Sequence, residues 1–153
     1  MEDSRMKALI HLLLLLPILS ACASGPSKEE LDAEVKRLCA IDGGVKVYEM
    51  VKLPDGLVDK YGGIRIPSKE NAKSSDEYYY ELEIYYYRKG NPEMSRSLYR
   101  VIRRSDGKIL GESIRYGRGG GDLPGPWHDS SFTCPEIGAQ PTLENSIFVK
   151  GDN

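Results

Sequence analysis

YYYELEIYYYR (78–88), MSRSLYRVIRR (94–104) and KILGESIRY (108–116) are the three runs whose reading decides the fold. Each is rich in tyrosine, isoleucine, valine and leucine, the residues that suit a pleated strand. Gly90-Asn91-Pro92 separates the first two. Asp106-Gly107 separates the last two and is a preferred type I′ hairpin pair. Three consecutive antiparallel strands are expected. Placing Ser105 opposite Lys108 sets Val101 against Glu112 and Tyr99 against Ile114. Tyr99, Val101, Leu110, Ile114 and Tyr116 then share one face, with Leu82 and Ile84 joining from the first strand. That face is the expected core. The other face carries Tyr79, Glu81, Glu83, Tyr85 and Tyr87, and Arg96, Leu98, Arg100, Ile102 and Arg104. Glu83 is expected opposite Arg100, and Tyr87 opposite Arg96. A slip of one residue would exchange the faces.

Working outward, Ser27 to Leu38 reads as a helix. Ser27 and Glu30 make the S-x-x-E capping box. Leu31, Val35 and Leu38 line one face, and Gly43-Gly44 can end the helix. Val45 to Val51 reads as a strand, and Leu53 to Glu77 as a long loop with a short strand at Ile64–Ile66. Arg118 to Pro126 reads as loop, Trp127 as a plug of the sheet edge, and Asn145 to Lys150 as a last short strand. The expected class is α+β, with a helix packed on an antiparallel meander of about four strands.

The chain opens differently. Arg5 and Lys7 precede an apolar run, Ala8–Leu19, which ends at Ser20-Ala21-Cys22. A basic start, a short apolar run and small residues at its end define an export signal. The run is shorter than the roughly 20 residues of a spanning helix. Leu19-Ser20-Ala21-Cys22 resembles the lipobox of bacterial lipoproteins. The resemblance covers residues 1–23. It implies cleavage before Cys22, lipid on that thiol and on the new amine, and, with Ala23 rather than Asp next, passage to the outer membrane. Residues 1–21 are then the signal peptide, 22–27 a lipidated tether, and 28–153 one periplasmic α+β domain. Cys39-Ala-Ile-Asp-Gly-Gly, Ser105-Asp-Gly-Lys-Ile-Leu-Gly-Glu and Gly121-Asp-Leu-Pro-Gly-Pro-Trp are also similar to segments of small proteobacterial lipoproteins, a likeness that brings no function.

With Cys22 committed to lipid, Cys39 and Cys134 remain, and export places them in an oxidising compartment. A disulfide between them is expected. The net charge of −2 lacks the basic bias of nucleic-acid binders. The exported part holds one histidine, His128, so neither a transition-metal site nor a cofactor is expected. His128, Asp129, Ser130 and Ser131 are neighbours in sequence, whereas triad members converge from separate parts of a fold. Gly119-Gly120-Gly121 lacks the Lys-Ser/Thr of a phosphate loop. Glu81 and Glu83, about 7 Å apart by strand rise, read as solvated charges rather than a glycosidase pair.

What stands out is tyrosine. Six of the ten lie in Tyr78–Tyr87, and Tyr and Arg are enriched at binding hot spots. The candidate binding face is therefore Tyr79, Tyr85, Tyr87, Arg96, Arg100 and Arg104. The expected function is that of a non-enzymatic lipoprotein. It would sit in the membrane by its lipid and bind an envelope protein or peptidoglycan, or act as an inhibitor or immunity module. A wall hydrolase using His128 with Asp122, Asp129 or the Glu81/Glu83 pair, and a structural assembly subunit, are the alternatives.

Overall fold

The computed structural model describes residues 25–122, 125, 128–138 and 140–150. The expected signal peptide, Cys22 and Trp127 lie outside the described residues. Helix α1 spans Lys28–Asp42. Its capping box forms as expected: Ser27 Oγ accepts from the Glu30 N–H at 3.2 Å, and the Glu30 carboxylate accepts from the Ser27 N–H at 2.8 Å. The helix runs one turn past the expected end at Leu38 and stops at Gly43, which is extended and donates to the Cys39 carbonyl.

Strands β1 (Gly44–Val47), β3 (Tyr78–Arg88), β4 (Glu93–Arg103), β5 (Ile109–Gly119) and β6 (Ser131–Cys134) form one five-stranded antiparallel sheet. Its path is β1-β5-β4-β3, and β6 follows β1 along the same side of β5. The expected Val45–Val51 strand is divided. After β1 the chain leaves the sheet, and β2 (Val51–Lys52) pairs in parallel with β7 (Phe148–Val149). A short helix α2 (Leu143–Ile147) precedes β7, where only strand was expected. Thr142 caps it through its side chain.

The β4–β5 register corrects the expectation by one residue. Val101 lies opposite Gly111, Arg100 opposite Glu112 and Leu98 opposite Ile114. Two causes are visible. The hairpin is not type I′, which needs positive φ at both central residues; Gly107 has φ +69°, while no described non-glycine residue has positive φ. A bulge between Val101 and Ile102 then shifts the ladder again. The consequence follows from strand alternation: Ile114 and Tyr116 join Leu98 and Arg96, not Tyr99 and Val101. On β3, Glu81 faces Arg100 and Tyr85 faces Arg96, two residues from the expected pairing. That even shift keeps every side chain on its expected face. A bulge at Tyr87 accompanies it.

Both faces of the sheet are therefore covered, each in part. On one, Leu31, Val35 and Cys39 of α1 pack on Met94, Leu98, Ile114 and Tyr116. This is the face expected to be open. On the other, Leu143, Ile147 and Phe148, with Ile66 from the long loop, pack on Tyr78, Val101 and Leu110. Gly111 permits that approach: a Cβ there would stand 2.8 Å from the Lys46 carbonyl and 2.9 Å from Leu143 Cδ1. The Cys39–Cys134 disulfide joins α1 to β6 across a sequence separation of 95, with Cα atoms 5.9 Å apart.

Arg118 was expected in a loop, and instead it lies in β5 and is buried. Its Nε and Nη2 donate to the Asp32 carboxylate of α1 at 2.8 and 3.1 Å. Its Nη1 donates to the Gly120 and Ser130 carbonyls and to Ser130 Oγ at 2.7, 2.8 and 2.9 Å. Burying a guanidinium is tolerable only when it is paired and its donors are satisfied. Here it clamps the helix, β5 and the 120–130 segment together.

Candidate functional site: the outer strand

Strand β3 forms one side of the sheet. Its first half is closed: the Tyr80 N–H donates to the Pro67 carbonyl at 2.9 Å, and the Tyr80 carbonyl accepts from the Lys69 N–H at 2.8 Å. Backbone groups alternate in direction along a strand edge. If Tyr80 points outward, so do Leu82, Ile84 and Tyr86. Beyond Lys69 no described residue bonds these outward groups. The bulge at Tyr87 ends the straight run. A five-residue window, Leu82–Tyr86, thus presents an open strand edge about 17 Å long.

The side chains there are large, apolar and exposed. Leu82 and Ile84 are each 53% accessible and Tyr86 41% on one face; Tyr85 at 62% and Tyr87 at 47% stand on the other. An open edge bearing such residues is a template for another strand. Leu82 and Ile84 are thus corrected from core to surface. They share the face of Val101, but α2 and the long loop cover only the end of that face near Tyr78 and Leu110. Beside Leu82 lies an open depression of about 290 Å³, lined by Ser97, Tyr99, Ser113, Arg115 and Glu144 among others. The Tyr99 hydroxyl donates to Glu144 there. Burial, and then that carboxylate, push the Tyr99 hydroxyl pKa well above its usual value.

Of the six expected binding residues, the tyrosines and arginines part company. The Tyr85 and Tyr87 rings meet edge to face at 5.0 Å, and Tyr87 stacks on Tyr116 at 6.3 Å. The arginines are engaged within the fold. Arg96 donates to Tyr116 Oη at 3.2 Å and to Asp42 at 3.4 Å, and the Tyr116 hydroxyl donates to Asp42 at 2.6 Å. Burial, reinforced by Asp42, pushes the Tyr116 hydroxyl up to about 12. Arg100 reaches Glu83 at 2.9 Å and Glu81 at 3.8 Å. Arg104 donates to the Asp76 carbonyl at 2.8 Å and lies 5.2 Å from the centre of the Tyr79 ring. Arg96 and Arg104 are struts to the helix end and the loop, and Arg100 is neutralised on β3.

The catalytic alternatives are distributed as follows. Asp122 accepts from Lys28 Nζ at 2.9 Å and from the Ser130 N–H at 2.5 Å, which hold its carboxyl far below the usual range. Ser130 Oγ is turned inward to Arg118. His128 is exposed. Glu81 accepts from Lys69 at 2.6 Å and Glu83 from Arg100. These contacts tie Asp122, Ser130, Glu81 and Glu83 to structural partners. No described helix is long and apolar enough to cross a membrane. Comparison of the chain with protein-family models, with curated proteins and with solved structures finds no match.

Proposed function

We propose that this chain is a lipid-anchored, non-enzymatic binding module of the bacterial envelope. Leu19-Ser20-Ala21-Cys22 supports the anchor, since a cysteine at that place in an export signal is the residue lipoproteins acylate. Two or more acyl chains hold stably where one does not. The tether from Ala23 to Ser27 reaches about 17 Å at most, so the domain works close to the outer membrane. The observation that carries the binding role is the outer strand. β3 sets five large apolar or aromatic side chains in solvent beside an unpaired backbone edge. Main-chain bonds along such an edge supply affinity, and side chains on both faces supply specificity.

Two experiments test the two halves. Metabolic labelling with palmitate should mark the wild-type chain and not Cys22→Ala; label in the mutant refutes the anchor. A photo-crosslinking residue at position 85, in intact cells, should capture a discrete species that the same residue at Ala33, exposed on α1, does not. Equal capture at both positions, or none at 85, refutes the binding surface.

A further inference from the structure

Three observations say what the Leu82–Tyr86 edge fits. The window is bounded on one side by the Pro67–Lys69 strap at Tyr80 and on the other by the Tyr87 bulge. Its middle residue is Ile84, whose backbone N–H and carbonyl point outward. About that residue, Leu82, Ile84 and Tyr86 put apolar or aromatic side chains on one face. The other face holds a single carboxylate, Glu83, on one side and a neutral phenol, Tyr85, on the other, so self-pairing sets no carboxylate against a carboxylate.

We infer that the occupant of this edge is the β3 strand of a second copy of the chain, antiparallel about a two-fold axis through Ile84. The inference rests on the outer-strand binding surface proposed above. Such a two-fold contact uses the same patch on both copies. In this register Ile84 faces Ile84 of the other copy, Leu82 faces Tyr86, and Glu83 faces Tyr85. The outward groups of Leu82, Ile84 and Tyr86 on each copy then exchange six backbone hydrogen bonds. No charge falls opposite a like charge, which would oppose pairing. Glu83 meets a tyrosine hydroxyl and keeps Arg100 behind it. The two five-stranded sheets become one continuous sheet, and the apolar side chains of Leu82 and Ile84 are shielded by Tyr86 and Ile84 of the other copy.

The test uses the full-length lipidated chain, purified in detergent. Sedimentation velocity should show a dimer. Ile84→Pro removes an outward N–H and the isoleucine side chain without removing a bond to β4, and proline is tolerated on an edge strand in that orientation. It should weaken dimerisation tenfold or more and leave the thermal midpoint unchanged. Should the proline variant fail to fold, Ile84→Lys provides the same test by setting like charges face to face. In wild-type membranes, Ile84→Cys should form an intermolecular disulfide, because paired Cα atoms about 5.5 Å apart lie within disulfide reach. Tyr61→Cys, in the long loop, should not. A dimer unaffected by either Ile84 variant overturns the inference. A monomer at all concentrations overturns it as well, and capture of another molecule at position 85 then leaves the binding surface standing. A monomer with no capture at 85 removes both.

Discussion

Arg96 and Tyr85 face each other across β3 and β4, yet they do different work. Arg96 ties β4 to Tyr116 and to Asp42 at the end of α1. Tyr85 contacts Tyr87 and otherwise faces solvent. Arg96→Ala should therefore lower the thermal midpoint, through a loss of about 1–3 kcal/mol for charge-assisted bonds whose removal leaves the Asp42 carboxylate with the Tyr116 hydroxyl but no cation. Tyr85→Ala should leave the midpoint unchanged and weaken partner capture tenfold or more, since truncating a hot-spot aromatic costs about 2 kcal/mol or more. Thermal melts, and capture yields with the photo-crosslinking residue moved to position 87, check the division. Asp122 and Asp106 supply a pH dependence. Lys28 and the Ser130 N–H depress the first far below the usual range, and Arg103, with the Lys108 N–H, holds the second at about 2. Both are charged in the fold at pH values where the unfolded chain begins to protonate. Their stabilisation is complete above about pH 4, the unperturbed aspartate range, and is lost as pH falls toward 2. A midpoint measured from pH 7 to pH 2 should drop in that window. In Asp122→Asn the curve should start lower and fall less.

The elements differ in how plainly the sequence announces them. The capping box of α1 and the bounds of β3 are local properties, set by Ser27, Glu30 and an unbroken β-forming run, and both form as expected. Register is not local. It depends on one glycine at positive φ in the 104–107 turn, on a bulge at Val101 and on another at Tyr87, and neither bulge has a mark in the residue pattern. A single-residue slip then moved Ile114 and Tyr116 to the helix-covered face. The choice of which face α1 covers follows from the same slip, so the expected open face became half core. Arg118 was invisible for a different reason. Its neighbours are glycines, and its partner Asp32 lies 86 positions away. The Cys39–Cys134 pair was readable by elimination, because the expected export and lipidation of Cys22 would leave two thiols. It closes a loop long enough for roughly 4–5 kcal/mol in chain-entropy models, with 2–4 kcal/mol the common yield. Cys39→Ser with Cys134→Ser should lower unfolding free energy by about 2–4 kcal/mol in urea titration, and should do so without altering the far-ultraviolet spectrum at low temperature. An unchanged midpoint would mean that Arg118 and the α1 packing alone hold β6 in place.

At the scale of the whole molecule, two covers among the described residues leave much of β3 exposed. Helix α1 occupies the Met94–Tyr116 part of one face, and α2 with the long loop occupies the Tyr78–Leu110 end of the other. β1 and β6 lie along the β5 side of the sheet as short edge strands of four residues each. The Leu82–Tyr86 length of β3 is where large apolar side chains stand exposed beside a backbone edge that no described residue bonds. The tyrosine-rich run marks this strand in the sequence, while its arginine neighbours, expected on the same binding face, are engaged within the fold. Tyrosine and arginine are both enriched at binding hot spots, and only three-dimensional pairing separates a free aromatic from a guanidinium committed to Asp42 or Glu83. The most direct test is residue-resolved amide exchange on β3, in the dilute purified chain and in membranes carrying the lipidated chain. Glu81, Glu83 and Tyr85, which bond β4, should be protected in both. Leu82, Ile84 and Tyr86 should exchange rapidly in the dilute chain and become protected in membranes, where the edge is occupied. Rapid exchange of those three amides in both settings would contradict an interaction surface on β3.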